Sequence, residues 1–332
     1  MNDVEDESVD LVVTSPPYPM IEMWDKVFSS LDTNIETALK RDEGSRAFDL
    51  MHDQLNMVWN GVHRVLKGGG IACINIGDAT RNTGGSFQLF PSHTIVSRYF
   101  REIGFHELPS IIWKKPSNSP NKFLGSGTLP VGAYVTLEHE YILIFRNKSK
   151  RDFSTASQKE TRKSSSFFWE ERNRWFSDTW EDLKGIRQEM KGEGSRNRSA
   201  AYPIEVPYRL INMYSLKGDV VLDPFAGTGT TAIAAIAAGR NSIGYEIDAG
   251  LSQLAGNKIL ESRELANSIT DRRISDHIKF VESEIARGKT FGHSSQTYGF
   301  PVKTKPEKYI RIEKVQELHF GKELHEVIAW YS

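Results

Sequence analysis

Leu222-Asp223-Pro224-Phe225-Ala226-Gly227-Thr228-Gly229-Thr230-Thr231 runs from a short apolar strand, Val220-Val221-Leu222, into the alanine-rich stretch Thr230 to Ala238. Its two glycines let the backbone adopt positive φ and approach a ligand closely. No lysine follows the second glycine, so the phosphate-cradling P-loop pattern fails. Gly227, Gly229 and Ala232 meet the loose dinucleotide spacing, which alone is a weak signal, and a helix N-terminus attracts anions. Asp223, placed ahead of the turn, suits a cationic ligand better than a pyrophosphate. Further on, Glu246 closes the next strand, Ser242 to Tyr245, at a place where an acid grips ribose hydroxyls.

The start of the chain holds a second strand-to-turn unit. Val9, Leu11, Val12 and Val13 read as a strand that stops at Thr14-Ser15-Pro16-Pro17-Tyr18. Two consecutive prolines cannot continue a sheet ladder, so the backbone must turn there. A hydroxyl, a carbonyl and an aromatic ring then converge at the carboxyl end of a strand, the edge where open α/β sheets bind ligands. Taken alone, Ser15 to Tyr18 reads equally well as a structural turn.

Between the two units the periodicity switches repeatedly. Met51, Leu55, Val58, Val62 and Val65 predict a helix over Ala47 to Leu66, ended by Lys67-Gly68-Gly69-Gly70. Ile71 to Ile76 predicts a buried strand, Ser92 to Ile103 a helix, and Ser110 to Trp113 and Glu140 to Phe145 further strands. Lys114 to Gly132 is rich in Pro, Gly, Ser and Asn and reads as a long loop. Alternation resumes with a helix over Ile204 to Met213, and a helical stretch follows Glu246 as far as Glu264. Beyond Ile274 the pattern mixes helix with strand-like Tyr309 to Ile312 and Val327 to Trp330. No internal repeat is visible. Strand–helix alternation at this length argues for an α/β sheet with helices on both faces.

Composition narrows the function classes. The 332 residues carry 42 Lys and Arg against 43 Asp and Glu, so no global positive field announces a nucleic-acid binder. Any such contact must come from a local surface. Residues 146–198 offer one, with fourteen Lys and Arg against nine Asp and Glu, a local charge of +5. Phe153, Phe167, Phe168, Trp169, Trp175, Phe176 and Trp180 interleave with those charges; the plainer reading is a solvated charged loop. A single cysteine, Cys73, excludes a disulfide framework and a multi-cysteine zinc site. The nine histidines show no metal-ligand spacing, so no metal is expected. The first twenty residues hold five acids and no Lys or Arg, the opposite of a signal peptide, and the longest apolar run, Ala232 to Gly239, is less than half a membrane span. These features predict a soluble cytoplasmic protein with no membrane partner.

Together the two motifs resemble the amino-methylating DNA methyltransferases of the β arrangement, in which the catalytic motif precedes the S-adenosylmethionine motif. The resemblance covers most of the chain. It implies a doubly wound, mostly parallel methyltransferase sheet with a small target-recognition insertion. Residues 1–145 would form the catalytic half, 146–198 the target-recognition region and 199–332 the S-adenosylmethionine-binding half. Ser15, Pro16, Pro17 and Tyr18 are similar to the catalytic tetrapeptide. Asp223 to Thr231 is similar to the methionine-binding loop, which makes Asp223, Phe225, Gly227, Thr228, Gly229 and Thr230 expected cofactor contacts, with Glu246 as the ribose acid. Trp180, and then Tyr202 and Pro203 ahead of an amphipathic helix, resemble the segment that closes over the cofactor. The family also has a strand ending in Gly-Asp upstream of its catalytic motif, on the adenine side. Here either Asp3 serves alone or Tyr309 to Ile312 completes the sheet.

The implied chemistry is methyl transfer to an exocyclic base amine, a poor nucleophile because its lone pair is delocalised into the ring. Ser15 Oγ and the Pro16 carbonyl would hold the amine protons and localise that pair. A serine hydroxyl is no general base at neutral pH, so its expected part is orientation and polarisation. Tyr18 would stack on the flipped base, worth about 1–3 kcal/mol, against the few kcal/mol lost on unstacking. Ring-carbon methylation needs a cysteine nucleophile, and Cys73, following Ala72 in a buried strand pattern, reads as core. Asp78 is either a polar group at the active edge or a helix cap. Within the resemblance, Ser15 points to N4 of cytosine; the alternatives are an adenine-N6 enzyme of the same family and a non-catalytic cofactor- or DNA-binding regulator. The implied partners are double-stranded DNA and, in a restriction–modification setting, a cognate endonuclease that functions separately. The chain would work as a monomer or homodimer in the prokaryotic cytoplasm or nucleoid.

Overall fold

All six residues of β1 (Val9–Thr14) are buried, as only a strand covered on both faces can be. The computed structural model describes residues 1–115, 124–183, 188–189, 198–199, 202–321 and 326–332. In it β1 lies between β12 (Val220–Asp223) and β2 (Leu66–Ile76), parallel to both, and β13 (Asn241–Gly244) extends the parallel run past β12. On the other side β8 (His139–Asn147) is antiparallel to β2, and β5 (Phe105–Lys114) is antiparallel to β8. The two-residue β9 (Thr179–Trp180) runs parallel to β5 and ends that side. The spatial order is β13-β12-β1-β2-β8-β5-β9, with four of its six ladders parallel. This is the α/β methyltransferase-type sheet that the sequence predicts.

Helices cover both faces. On one lie α1 (Asp25–Leu31), α2 (Thr33–Lys40), α3 (Gly44–Val65) and α4 (Ser92–Glu102), whose apolar stripes meet Val9 and Val12 in one core. On the other, α7 (Glu205–Tyr214), α8 (Thr230–Ala238) and α10 (Arg263–Ala286) meet Leu11 and Val13 in a second core. Between α8 and α10 runs α9 (Ala249–Leu260). The helical stretch expected beyond Glu246 therefore breaks at Glu261–Ser262 and resumes as α10.

Several elements depart from expectation. Lys67 to Gly70 does not cap a helix but belongs to β2, which begins at once after Val65. Pairing starts at Val9↔Leu66 and slips before Leu11↔Ile71, and the glycine run absorbs that slip. An antiparallel hairpin of β3 (Ala79–Thr83) and β4 (Ser86–Phe90) follows β2. Within the expected loop, β6 (Leu124–Gly125) pairs with β7 (Ala133–Tyr134), which begins just past the loop's end. Tyr309 to Ile312 is not a strand: Pro306–Tyr309 forms a 3₁₀ turn, and Ile310 packs with Phe168 and Val302 in a small separate core. It does not complete the sheet. Of the C-terminal pairs, β14 (His293–Ser294) joins β15 (Pro301–Val302) and β16 (Val315–Phe320) joins β17 (Val327–Tyr331), each outside the central sheet.

The charged stretch 146–198 is less of a loop than its composition suggests. It contains α5 (Ala156–Ser164), α6 (Trp169–Trp175), β9 and a short ladder of β10 (Gln188–Glu189) with β11 (Arg198–Ser199). Three of its seven aromatics, Phe168, Trp175 and Trp180, are fully buried. Phe168 stacks on His277 of α10 at 3.9 Å, and Arg273 of α10 forms a buried ion pair with Glu171 at 2.6 Å. Phe168 and Trp175 are core residues that dock α6 on α10, and Trp180 is core on β9, which departs from the reading of this stretch as a solvated charged loop. Residues 184–187, 190–197 and 200–201 lie outside the described residues.

Candidate active site

β1, β2 and β12 all point their carboxyl ends to one edge of the sheet, and the two sequence motifs meet there. Thr14, the last residue of β1, donates its hydroxyl to Asp223 Oδ1 at 2.6 Å; both side chains are buried. The tetrapeptide therefore starts one residue from a direct bond to the glycine turn.

Beyond Thr14 the prolines lift the chain off the sheet. Ser15, Pro17 and Tyr18 are half-buried and Pro16 is buried. Asn75 of β2 and Glu140 of β8 reach the tetrapeptide from the neighbouring strands. Asn75 Nδ2 lies 2.8 Å from Tyr18 Oη, 2.8 Å from Glu140 Oε2 and 3.3 Å from Ser15 Oγ. Tyr18 donates its hydroxyl to Glu140 Oε2 at 2.9 Å, and Ser15 Oγ lies 3.1 Å from Tyr18 Oη. Lys115 Nζ, just past β5, binds the other carboxylate oxygen at 2.7 Å. Burial, and then the Glu140 charge, push the Tyr18 phenol well above its usual range, so it stays protonated and can only donate to that carboxylate. Gly77 makes this arrangement possible, since a Cβ there would stand 2.9 Å from Tyr18 Cε2.

Asn75, Glu140 and Lys115 were not among the residues singled out from sequence. The signal was present: Asn75 interrupts the apolar run Ile71-Ala72-Cys73-Ile74, and Glu140 opens the apolar run Tyr141 to Phe145. A polar residue in a strand buried on both faces needs a partner, and here the partners are each other. Asn75 Oδ1 is buried without a partner among the described residues, leaving one acceptor beside the tetrapeptide. Cys73, two residues earlier, is fully buried, and burial pushes its thiol up, so its core reading holds. Asp78 binds His93 at Nδ1 and at the backbone N–H in the first turn of α4, which gives it the capping role.

The glycine turn is held from below by Asp223. Besides Thr14, its carboxylate accepts from Thr231 Oγ1 at 2.6 Å and from the Phe225 N–H at 3.0 Å. Tyr202 extends the chain, its hydroxyl 2.6 Å from Thr231 Oγ1. Burial raises the Asp223 carboxyl above the usual range, although these donors favour its charged form. Three of the roughly four acceptor positions of a carboxylate are thus spent inside the protein. Asp223 fixes the turn more than it faces a ligand.

Above it, Gly227 and Gly229 take left-handed φ of 52° and 81°, a conformation that other residues adopt at a cost. The half-buried Glu246, past the end of β13, accepts from the Gly227 N–H at 3.0 Å and the Asp248 N–H at 2.8 Å. Phe225 turns inward, edge-on to Trp59 at 5.8 Å, while Thr228, Pro203 and Tyr202 are buried and Thr230 opens α8 half-buried. The exposed Asp3 accepts from the Tyr245 hydroxyl, beside the end of β13. A turn bounded by acids and lined with backbone suits a ligand with a cationic centre and vicinal hydroxyls, which is the chemistry of S-adenosylmethionine. Trp180 stands apart, on β9 at the far side of the sheet, under the Arg209 guanidinium.

Among the described residues, no group of three or more His, Cys, Asp and Glu could hold a metal ion, and no helix is long and apolar enough to cross a membrane.

A family model described as DNA methylase matches residues 9–257, which include both motifs. The type II methyltransferase M.MthZI of Methanothermobacter thermautotrophicus is 52% identical over 313 residues, covering 94% of this chain and 87% of that protein. The type II methyltransferase M.MjaI of Methanocaldococcus jannaschii is 53% identical over 270 residues, 78% of this chain and 88% of that one. Among solved structures, a putative DNA modification methylase from Thermus thermophilus, in complex with S-adenosyl-L-methionine, is 32% identical. It superposes with a TM-score of 0.61 over 78% of this chain and 88% of its own.

Proposed function

Because the chain belongs to the N6/N4 DNA methylase family and is an S-adenosylmethionine-dependent DNA methyltransferase, we propose that the base it modifies is cytosine, at N4. The Thr14–Asp223 bond, which joins the tetrapeptide Ser15-Pro16-Pro17-Tyr18 to the glycine turn at one sheet edge, supports methyl transfer at that edge. Serine at the head of the tetrapeptide supports the choice of cytosine.

The bound cofactor supplies an electrophilic methyl group on a sulfonium. Asp223, Phe225, Gly227, Thr228, Gly229 and Thr230 would form its floor, Glu246 would take the ribose, and Tyr202 and Pro203 would brace the turn from beneath. The tetrapeptide holds the base. Ser15 Oγ and the Pro16 carbonyl accept the N4 protons and draw the nitrogen toward pyramidal geometry, an interaction that strengthens as positive charge develops there. Tyr18 offers its ring face to the flipped base.

Residues 146–198 are the proposed target-recognition region, which includes β9, the strand at the far side of the sheet. The contacts to DNA would come from exposed cations such as Arg172 and Arg174 on α6, which can bind phosphates. The catalytic half would then be residues 1–145 and the cofactor half 199–332. Type II methyltransferase is the name both curated relatives bear, and for this chain the corresponding role is protection of DNA beside a separately acting endonuclease.

The test is mass spectrometry of nucleosides from duplex DNA incubated with the protein and methyl-labelled S-adenosylmethionine. Labelled N4-methylcytosine is the expected product. Labelled N6-methyladenine alone would keep the site and overturn the base.

A further inference from the structure

Methylating an amine leaves a proton to be removed, and the serine that holds the amine cannot keep it. The hydrogen bonds around Ser15 have a fixed direction. Tyr18 has one proton, and it goes to Glu140 Oε2 at 2.9 Å. The 3.1 Å bond between Ser15 Oγ and Tyr18 Oη must then be made with the serine proton. That leaves a Ser15 lone pair to accept from the base. Asn75 Nδ2, donating to Tyr18 Oη and Glu140 Oε2 at 2.8 Å each, locks both groups in place. Lys115, at 2.7 Å from the second carboxylate oxygen, pairs the charge at the end of the chain.

We propose that Ser15, Tyr18 and Glu140 form a proton relay that carries the amine proton away during methyl transfer, with Glu140 as the terminal acceptor. The proposal rests on the methyl-transfer reading above. The base nitrogen lone pair forms the new N–C bond, and the C–S bond breaks with its pair returning to sulfur. One N–H proton passes to Ser15 Oγ as the serine proton passes to Tyr18 Oη and the tyrosine proton to Glu140 Oε2. Serine and tyrosine end unchanged, Glu140 ends as the neutral acid, and the N–H pair stays on nitrogen as its lone pair. Glu140 does not touch the base; it acts through the other two.

The experiment is single-turnover transfer from labelled cofactor to duplex DNA at pH 7.5, for wild type, Glu140→Gln, Tyr18→Phe and the double variant. Glu140→Gln keeps the side-chain shape but cannot take a proton, and Tyr18→Phe keeps the ring but cuts the relay. Each is expected to lower the rate at least tenfold, with cofactor and DNA affinities within about twofold of wild type. The double variant should be no slower than the slower single. A Glu140→Gln rate within twofold of wild type would overturn the relay, as would a full-rate Tyr18→Phe or losses that multiply in the double variant. Should Glu140→Gln fail to fold, the rate of Tyr18→Phe, read beside its cofactor and DNA affinities, decides alone. A wild-type protein that transfers no methyl group to any DNA would instead sink the reading on which the relay rests.

Discussion

Removing the Asp223 carboxylate should damage the fold before it damages ligand binding, and the size of the effect follows from its partners. Asp223→Ala strips the acceptor from Thr14 Oγ1, Thr231 Oγ1 and the Phe225 N–H, with the two threonines buried. Thr231 has no free outlet, because Tyr202, 2.6 Å away, already donates its own proton to the Thr231 hydroxyl. Three donors are then left without partners, at about 1–3 kcal/mol each, for a loss of roughly 3–9 kcal/mol. Part of that is returned because burial already disfavours the charged carboxyl. Asp223→Asn behaves differently. Its carbonyl can still accept from Thr14 and Phe225 and its amide can donate to Thr231, so a single hydroxyl proton of the Thr231–Tyr202 pair loses its acceptor. The expected loss is about 1–3 kcal/mol. Equilibrium denaturation of both variants at pH 7.5 checks the values, with cofactor titration in parallel. An alanine variant as stable as wild type would refute the buried-network account of this turn. If the asparagine variant kept full stability but bound no cofactor, the acid would be a direct ligand contact after all.

Other perturbations read other parts of the structure. His52 is buried and held neutral, its pKa pushed down by burial to about 3, so protons bind the unfolded chain first as pH falls below 6.5. From pH 6.5 to 5 that single group should cost about 2 kcal/mol of stability, a slope that His52→Gln should flatten in urea titrations at each pH. Glu171→Gln leaves the Arg273 guanidinium buried without its charge partner and should cost about 3–5 kcal/mol in the same assay. Glu246→Gln should weaken cofactor binding by about 1–3 kcal/mol in calorimetry, through loss of hydrogen bonds to a charged acceptor.

The sheet was legible because its strands are almost wholly apolar. Val9 to Val13, apart from the buried Asp10, and Val220 to Leu222 are apolar, and proline or glycine follows them at the edge where the site lies. α8 was legible to the residue, since its glycine turn and alanine run admit one reading. What sequence hid was mostly pairing at a distance. The glycines of Lys67 to Gly70 looked like a helix stop because nothing local shows that Leu66 pairs with Val9. The β3–β4 hairpin went unread despite Gly84-Gly85 at its turn, for its strands are short and mixed in polarity. The aromatics at 168, 175 and 180 sit among charges in sequence but face α10 and β5 in space, so composition pointed outward where packing points inward. Within the site, both motifs were readable from chemistry, whereas Glu140 lies 122 residues from its partner Tyr18. The β1–β2 and β2–β8 ladders together bring them into contact.

The central claim is that the turn after β1 is where methyl transfer occurs, with Ser15 acting on the amine in the transition state. Single-turnover transfer by Ser15→Ala, with cofactor and DNA affinities measured on the same preparation, tests it most directly. Both affinities should stay near wild type, while the chemical step slows by the equivalent of about 2–4 kcal/mol, as for losing one preorganised group at a developing charge. A Ser15→Ala protein that transfers methyl groups at the wild-type rate would make the tetrapeptide a structural turn and contradict the account.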